Sequence, residues 1–138
     1  MAPRQTLWFG DSGVNYRYTG ADHLAQGWPS ALEGVRKTVQ NCVGHTFNFV
    51  IVNRYRSGED YMGWHRDDER GCVGPIASLS LGASRTFKIE LSEHETQALE
   101  LEHNSLLVFD GAMRHQLPKR RCISAPRLNL TFRQISVS

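Results

Sequence analysis

Two histidines and one aspartate are the side chains of this sequence best suited to hold a metal ion. His65 and Asp67 are two residues apart, and His115 follows much later in the chain. Residues two apart in an extended strand project to the same side, so His65 and Asp67 can reach one ion while Trp64 and Arg66 point elsewhere. Two imidazoles and one carboxylate form a set that binds Fe(II) and leaves coordination positions open. The pattern indicates an iron centre with room for further ligands.

The third ligand has to come from a distant segment, and three later histidines are available. His94 stands among glutamates in a polar segment, and His103 falls at an expected turn. His115 follows an expected strand at residues 105–109, which makes it the strongest candidate. Taken alone, the pattern stays open, because a chain with six histidines can contain such a pairing by chance.

A run near the end of the chain alternates strictly between polar and apolar side chains. Arg127, Asn129, Thr131 and Arg133 share one face of the expected strand, and apolar residues occupy the other. One interpretation is a strand with a solvated polar face. In the other, the polar face points inward, where two arginines need anionic partners. A dicarboxylate would supply both, because guanidinium groups bind carboxylates through paired hydrogen bonds. Asn53-x-Tyr55 could donate hydrogen bonds to the same ligand.

The elements around these residues are mostly strands. At 138 residues the chain is long enough for one domain with its own core. The spacing of apolar residues predicts one helix at residues 30–40, with Gly44 as a stop. Strands are predicted at residues 46–55, 75–81, 85–91, 105–109 and 126–135, with a turn at 56–60 and a loop at 92–97. The link at residues 82–84 predicts a hairpin between its two neighbouring strands. The fold class is therefore mainly β (α+β), as a sandwich, jelly roll or barrel with a helical buttress.

Composition sets broad limits on the function. A net charge of +2 and a pI of about 8.6 allow a polyanionic partner without requiring one. Three cysteines form no CxxC pair, which favours reduced thiols in a soluble, intracellular protein. No apolar run reaches membrane-spanning length, and the first residues do not form a signal peptide. We expect the first half-dozen residues to be frayed.

Five motifs in the same order closely resemble the AlkB family of Fe(II)/2-oxoglutarate dioxygenases, and the resemblance covers nearly the whole chain. The chain looks most like the animal enzymes that repair alkylated bases in duplex DNA. The motifs are Asn53-Arg54-Tyr55, His65-Arg66-Asp67-Asp68-Glu69, the run 75–83 (PIASLSLGA), His115-Gln116-Leu117-Pro118 and the run 126–133 (PRLNLTFR).

The resemblance implies one dioxygenase domain over residues 1–138. Residues 1–45 would form a partial nucleotide-recognition and helical part, and residues 46–138 a double-stranded β-helix (jelly-roll) core with one or two buttressing N-terminal helices. His65, Asp67 and His115 would hold Fe(II) and carry catalysis with O2. The residues implied to bind 2-oxoglutarate are Asn53, Tyr55, Arg127, Asn129, Thr131 and Arg133.

The resemblance also implies contacts with a damaged base that is extruded from its helix. Tyr16 and Tyr18 would face the base, and Asp68 and Glu69 would suit the positive charge that methylation places on the ring. From the residues alone, the tyrosines can equally be strand aromatics, and the acidic pair a solvated turn. The remaining implied substrate contacts are Arg85, Lys119, Arg120 and Arg121, of which the last three could also form a solvated loop.

The function implied by the resemblance is oxidative demethylation of N-alkylated bases such as N1-methyladenine and N3-methylcytosine in DNA, which releases formaldehyde and succinate. The chain departs from the family in a truncated N-terminal lid and a short segment at residues 91–102. Those departures keep open a demethylase specific for RNA or single strands. A dioxygenase acting on proteins or small molecules and a non-catalytic nucleic-acid-binding jelly roll are further alternatives. We expect a monomer without membrane association, in the nucleus of a eukaryote or otherwise in the cytoplasm.

Overall fold

Two antiparallel sheets face each other across a shared core. The computed structural model describes residues 4–136 of the chain. A five-stranded sheet has the order β1-β4-β11-β6-β9, a four-stranded sheet has the order β5-β10-β7-β8, and β2 and β3 form a separate ribbon. The strands are β1 Gln5–Gly10, β2 Asn15–Tyr18, β3 Ala21–Leu24, β4 Phe49–Tyr55, β5 Met62–His65, β6 Cys72–Gly82, β7 Arg85–Ser92, β8 Glu95–Leu101, β9 Ser105–Phe109, β10 His115–Leu117 and β11 Arg127–Ile135. This arrangement confirms a mainly β fold of the jelly-roll kind.

The core between the sheets draws large apolar side chains from both of them. Tyr55 of β4 and Ile76 of β6 belong to the five-stranded sheet, whereas Phe87 of β7 and Leu117 of β10 belong to the four-stranded sheet. Each is nearly or fully inaccessible to solvent. Burial of such side chains contributes roughly 1.5–3 kcal/mol each, which stabilises the pairing of the sheets.

A single helix in the described part of the chain covers the outer face of the five-stranded sheet. Helix α1 spans Ser30–Val43 and ends at Gly44, whose φ of 74° is left-handed and whose backbone N–H donates to Gln40 O. The helix packs through Val39 against Phe132 and its neighbours on the sheet. The predicted helix and its stop are confirmed, and the helix runs three residues beyond its predicted end. It is shorter than a membrane span, and no described helix is long and apolar enough to cross a bilayer.

The predicted hairpin at residues 82–84 is wrong. Strand β6 pairs with β11 and β9, whereas β7 pairs with β10 and β8, so the short link carries the chain from one sheet to the other. Gly82 makes this crossing possible, because its φ is 94° and an added Cβ would lie 2.6 Å from Pro126 O. A tight link between sheets has the same local composition as a hairpin turn, and only the strand partners distinguish them.

Two further expectations need correction. Residues 92–97 were expected to form a loop, but β8 begins at Glu95 and makes the hairpin with β7. The N-terminal segment expected to be frayed is shorter than predicted, because β1 starts at Gln5 and pairs with β4 along its length. Residues 1–3 lie outside the described part of the chain.

Candidate metal and co-substrate site

The antiparallel pairing of β5 with β10 brings the two candidate metal-binding histidines together. His65 ends β5 and His115 begins β10, and the two residues are direct partners in the register. Asp67 lies just beyond the end of β5, where its backbone N–H donates to Gly111 O at 2.7 Å. An added Cβ on Gly111 would lie 2.4 Å from Asp67 O, so a glycine is needed for the segment to approach this closely.

Three potential ligand atoms converge on one point. The Nε2 atom of His115 lies 3.0 Å from Asp67 Oδ2, and the Nε2 atom of His65 lies 3.6 Å from Asp67 Oδ1. The ligand atoms of all three residues lie within 4.8 Å of one another. This spacing suits three ligands on one face of a single ion, with the opposite face open.

The two imidazole rings are held in the orientation that a metal requires. His65 Nδ1 lies 2.7 Å from Gly63 O, and His115 Nδ1 lies 2.8 Å from Met113 O. Because a carbonyl oxygen can only accept, each Nδ1 carries the hydrogen and each Nε2 of a neutral ring presents a lone pair. Two lone pairs and a carboxylate facing each other repel unless a cation lies between them. Backbone partners of this kind are typical of metal-binding histidines.

A buried arginine keeps the carboxylate of this triad charged. Burial by itself would raise the pKa of Asp67, but the Arg133 guanidinium, 3.5 Å away, is the strongest of the influences that oppose burial and hold the pKa below its usual range. Burial also lowers the pKa of His65, which favours the neutral ring. Asp67 and His65 are therefore in the protonation states that metal binding needs near neutral pH.

The polar face of β11 points into the protein, as the second interpretation of its alternation predicts. Strand β11 lies between β4 and β6 rather than at an edge. Arg127 is 3% exposed and Arg133 is 4% exposed, whereas Leu128 on the opposite face is 40% exposed. The polar side chains line a cavity of about 340 Å³, and so do the three candidate metal ligands. The residues of this cavity expected to bind 2-oxoglutarate are Asn53, Tyr55, Arg127, Asn129, Thr131 and Arg133.

Most of these polar groups are held by neighbours in the sheet. Thr131 Oγ1 donates to Asn129 Oδ1 at 2.9 Å, and Asn129 Nδ2 donates to Ser78 Oγ at 2.6 Å. Asn53 Oδ1 accepts from Arg4 Nε and Thr6 Oγ1, both at 3.1 Å. These bonds fix the side chains before any ligand arrives, so little conformational entropy remains to be lost on binding.

The two arginines keep unsatisfied hydrogen-bonding capacity. Arg127 Nη2 donates to Ser80 Oγ at 2.9 Å, and its guanidinium lies 5.2 Å from the centre of the Tyr55 ring. No carboxylate among residues 4–136 forms an ion pair with Arg127. The Nε atoms of Arg127 and Arg133 are both buried without a hydrogen-bond partner in that part of the chain. A buried cation without an anion is costly, so the cavity is built for an anionic ligand.

Among the expected base contacts, Tyr18 and Glu69 line the cavity and Tyr16 and Asp68 do not. Tyr16 is fully buried, where its hydroxyl donates to Glu69 Oε2 at 3.0 Å and accepts from Arg133 Nη1 at 3.3 Å. Burial raises the pKa of Tyr16, so the hydroxyl keeps its proton. Tyr18 stacks on His23 with ring centres 3.8 Å apart. Tyr16 is thus placed to connect Glu69 with Arg133 rather than to face a ligand.

The expected substrate contact of Arg85 is not supported by its position. The side chain is 1% exposed and lies behind Tyr55, outside the set of residues that line the cavity. Its guanidinium donates to Asp60 O and Pro118 O, both at 2.8 Å, and to Ser57 O. These bonds tie the loop before β5 to the segment after β10. No local pattern signals this role, because the acceptors come from separate parts of the chain.

The expected basic loop is on the surface and away from the cavity lining. Arg120 forms an ion pair with Glu100 at 3.0 Å, and Arg121 lies 3.7 Å from Glu59. Lys119 Nζ lies 4.9 Å from the centre of the Tyr61 ring. Of the three cations, Lys119 is the one without an acidic partner among the described residues.

Several lining residues were missed or misplaced by the sequence reasoning. Trp64 and Arg66 were expected to point away from the metal site, but both line the cavity. Ser78, which lines the cavity, and Ser80, which does not, are bonded to the β11 side chains and are two apart along β6, so their period of two could have identified them. Arg4 was expected to lie in a frayed terminus, but it lines the cavity and donates to Asn53 Oδ1.

Comparisons with known proteins show the family to which the chain belongs. Residues 1–133 match the profile of the 2OG-Fe(II) oxygenase superfamily. The chain belongs to this superfamily. Its expected cofactors, Fe(II) and 2-oxoglutarate with O2, are those of the superfamily and are confirmed at that level.

Individual similar proteins indicate which family within the superfamily the chain resembles. The chain is 42% identical to bovine (Bos taurus) DNA oxidative demethylase ALKBH2 and 39% identical to the human (Homo sapiens) protein of that name, over 96% of its own length. It is 34% identical to human Alpha-ketoglutarate-dependent dioxygenase alkB homolog 3, again over 96% of its length. These matches confirm the resemblance to the AlkB family. The chain spans about half the length of these curated relatives, at 53%, 57% and 52% respectively.

Proposed function

We propose that this protein is an Fe(II)/2-oxoglutarate dioxygenase that removes N-methyl groups from nucleobases in DNA, and that the chain forms its single catalytic domain. In this proposal His65, Asp67 and His115 hold the iron. The co-substrate is bound by Asn53, Tyr55, Arg127, Asn129, Thr131 and Arg133. The names of the similar proteins, DNA oxidative demethylase among them, support the choice of reaction and substrate.

The observation that carries the proposal is the buried Arg127 guanidinium without a carboxylate partner in the described chain, in the same cavity as the His65, Asp67 and His115 triad. A dicarboxylate would satisfy Arg127 with one end. Its other end would lie near Arg133, which is 3.5 Å from Asp67 and therefore next to the metal ligands. Two guanidinium groups in one cavity suit a ligand with two anionic ends.

The protein's own contribution to the reaction is positioning and exclusion of water. When bound, iron and 2-oxoglutarate supply the oxidising chemistry that hydroxylates an N-methyl group, after which the carbon leaves as formaldehyde. The Nδ1 bonds of His65 and His115 orient both rings, and Arg133 keeps Asp67 ionised. Buried apolar side chains such as Phe87 and Leu117 also line the cavity and would exclude water there.

A nucleobase would enter from the side lined by Tyr18 and Glu69. A base inside a helix cannot reach a metal at the bottom of a cavity, so the enzyme would act on an extruded or unpaired base. Tyr18 offers a ring for stacking, and the Glu69 carboxylate would favour a base that methylation has made cationic. The hydrogen bond from Tyr16 would hold Glu69 in place.

The proposed setting is intracellular, in the nucleus if the host is a eukaryote and in the cytoplasm otherwise. Three free cysteines support a reducing environment. We propose that the protein acts as a monomer. Fractionation of cells with a tagged chain and size-exclusion chromatography with light scattering test these two points.

The experiment that tests the function measures formaldehyde and succinate released from matched single- and double-stranded DNA with one N1-methyladenine. Reactions with and without Fe(II) and 2-oxoglutarate, and an RNA of the same sequence, complete the design. Equal release of both products from DNA, dependent on both cofactors, supports the proposal. Release from RNA alone assigns an RNA demethylase, and 2-oxoglutarate turnover without formaldehyde from any strand points to a protein or small-molecule substrate.

A further inference from the structure

Two aromatic side chains at β5 are exposed, and one of them belongs to the cavity lining. Tyr61 immediately precedes β5, and Trp64 lies within it next to His65; each is 37% exposed. Trp64 also belongs to the cavity lining. Exposed tyrosine and tryptophan rings next to a binding cavity are typical of interaction surfaces.

A positively charged side chain lies over each of these two rings. Arg114 Cζ lies 5.2 Å from the centre of the Trp64 ring, and Lys119 Nζ lies 4.9 Å from that of Tyr61. The pairing of β5 with β10 explains the match, since Arg114 precedes β10 and Lys119 follows it. We call these four residues the aromatic–cation strip.

The strip has an excess of positive charge. Arg114 Nη1 forms an ion pair with Glu90 Oε2 at 3.0 Å, whereas Lys119 has no acidic partner among the described residues. Arg66, which lines the cavity, is exposed and is oriented by a hydrogen bond to Ala112 O at 3.0 Å. Asp68 is the exposed carboxylate that follows next along the chain. The strip therefore matches a flexible polyanion that also carries flat, stackable groups.

Single-stranded nucleic acid has that combination. Proteins bind it by stacking its bases on aromatic side chains and by placing cations along its phosphates. Trp64 belongs both to the strip and to the cavity lining. Nucleotides bound to the strip would therefore adjoin the nucleotide whose base lies in the cavity. The contacts would be independent of sequence, because every base offers a flat face.

We propose that the aromatic–cation strip binds the single-stranded nucleotides that flank the base held in the cavity. This inference rests on the proposed function, since it assumes a nucleic-acid substrate. It adds that the unpaired strand leaves the cavity over Trp64 and Tyr61. The protein then gains affinity from strand length as well as from the methylated base.

Alanine variants at Tyr61 and Trp64 test this inference. The probes are fluorescein-labelled single-stranded DNAs of three and fifteen nucleotides with one N1-methyladenine at the centre, and binding is measured by fluorescence anisotropy. Base stacking makes a contribution that corresponds to roughly tenfold in affinity per ring. Tyr61→Ala and Trp64→Ala should each weaken binding of the longer strand by about that factor and thereby remove most of the gain with length.

Trp8 provides a matched control, because it is also 37% exposed and does not line the cavity. Trp8→Ala should retain the full gain with length. Trp64→Phe keeps a ring and should restore most of the affinity lost in Trp64→Ala, which separates stacking from disturbance of His65. Lys119→Gln should lower the slope of log affinity against log salt by about 0.7, as expected for one lost phosphate contact on a single strand.

The outcomes distinguish the inference from the proposed function. If the native protein demethylates DNA but Tyr61→Ala and Trp64→Ala bind the longer strand as tightly as Trp8→Ala, the strip is not the path of the strand and the proposed function stands. If the native protein binds and demethylates no oligonucleotide while it turns over 2-oxoglutarate, the nucleic-acid substrate and the strip are both overturned.

Discussion

His115 lies directly opposite His65 in the antiparallel register of β10 and β5, with their ring centres 4.2 Å apart and the rings inclined by 61°. One pair of hydrogen-bonded strands therefore places two candidate ligands from distant parts of the chain around one point. Asp67 joins them through a backbone hydrogen bond to Gly111, in the segment that leads to β10. The candidate iron centre is thus built into the four-stranded sheet and the turn beside it.

Replacement of Arg127 should weaken 2-oxoglutarate binding. Loss of a charge-assisted hydrogen bond costs about 1.5–3 kcal/mol, so Arg127→Ala should raise the KM for 2-oxoglutarate about 10- to 100-fold. Steady-state succinate formation at varied 2-oxoglutarate measures this effect. Leu128→Ala, on the exposed face of the same strand, should leave the KM unchanged. An unchanged KM in Arg127→Ala would remove this arginine from the co-substrate site.

The two neighbouring tyrosines of β2 should respond differently to loss of their hydroxyl groups. Tyr16 Oη bonds to both Glu69 and Arg133, whereas Tyr18 Oη is buried without a partner among the described residues. Tyr16→Phe should lower the free energy of unfolding by about 1 kcal/mol, or the Tm by about 3 °C. Tyr18→Phe should be neutral or slightly stabilising, because it removes an unsatisfied polar group. Equal losses in calorimetry would contradict this difference.

An added methyl group should have opposite effects on stability at two of the glycines. A Cβ on Gly58 would lie 1.7 Å from Arg120 O, where two loops are joined by backbone hydrogen bonds. Gly58→Ala should therefore destabilise the protein by about 1–3 kcal/mol. A Cβ on Gly34 in α1 meets nothing within 4 Å, so Gly34→Ala should stabilise by about 0.5–1 kcal/mol. Denaturant unfolding measures both, and a stable Gly58→Ala variant would show that the two loops can separate without cost.

The ion pair of Asp60 with Arg56 should contribute stability that depends on pH. Hydrogen bonds from Arg56 to the carboxylate, including one at 2.7 Å from Nε, lower the pKa of Asp60 in the folded state. A lowered folded pKa gives a contribution that is present above the unfolded value of about 3.9 and is lost as pH falls through the folded pKa. Asp60→Asn should therefore be less stable than the native protein at pH 7, with the difference shrinking below about pH 4. A constant difference in urea midpoints across this range would contradict the assignment.

The sequence predicted the strands that carry the site more accurately than it predicted which strands pair with each other. The polar alternation of β11 identified its two faces, because a period of two is a local property. Its place at the centre of the sheet depends on pairing with β4 and β6, which no local pattern records. The same limit explains the error at residues 82–84, where a link between sheets was taken for a hairpin.

The site residues divide in the same way. The candidate triad and the residues proposed to bind 2-oxoglutarate follow from spacing together with a family resemblance, and in the structure they line one cavity. The family resemblance implied substrate contacts for Tyr16 and Arg85, but both are buried and bonded within the protein. Their roles depend on Glu69, Arg133 and three backbone carbonyls from distant segments, so tertiary structure was needed to find them.

The most direct measurement of the central claim is equilibrium binding of Fe(II) and 2-oxoglutarate under anaerobic conditions to the native protein and to Asp67→Asn. We predict one Fe(II) per native chain, 2-oxoglutarate binding that is much tighter with Fe(II) than without it, and loss of both properties in Asp67→Asn while its Arg127-lined cavity remains folded. Native-like Fe(II) binding by Asp67→Asn, or 2-oxoglutarate affinity that is the same with and without the metal, would contradict a shared iron and co-substrate site.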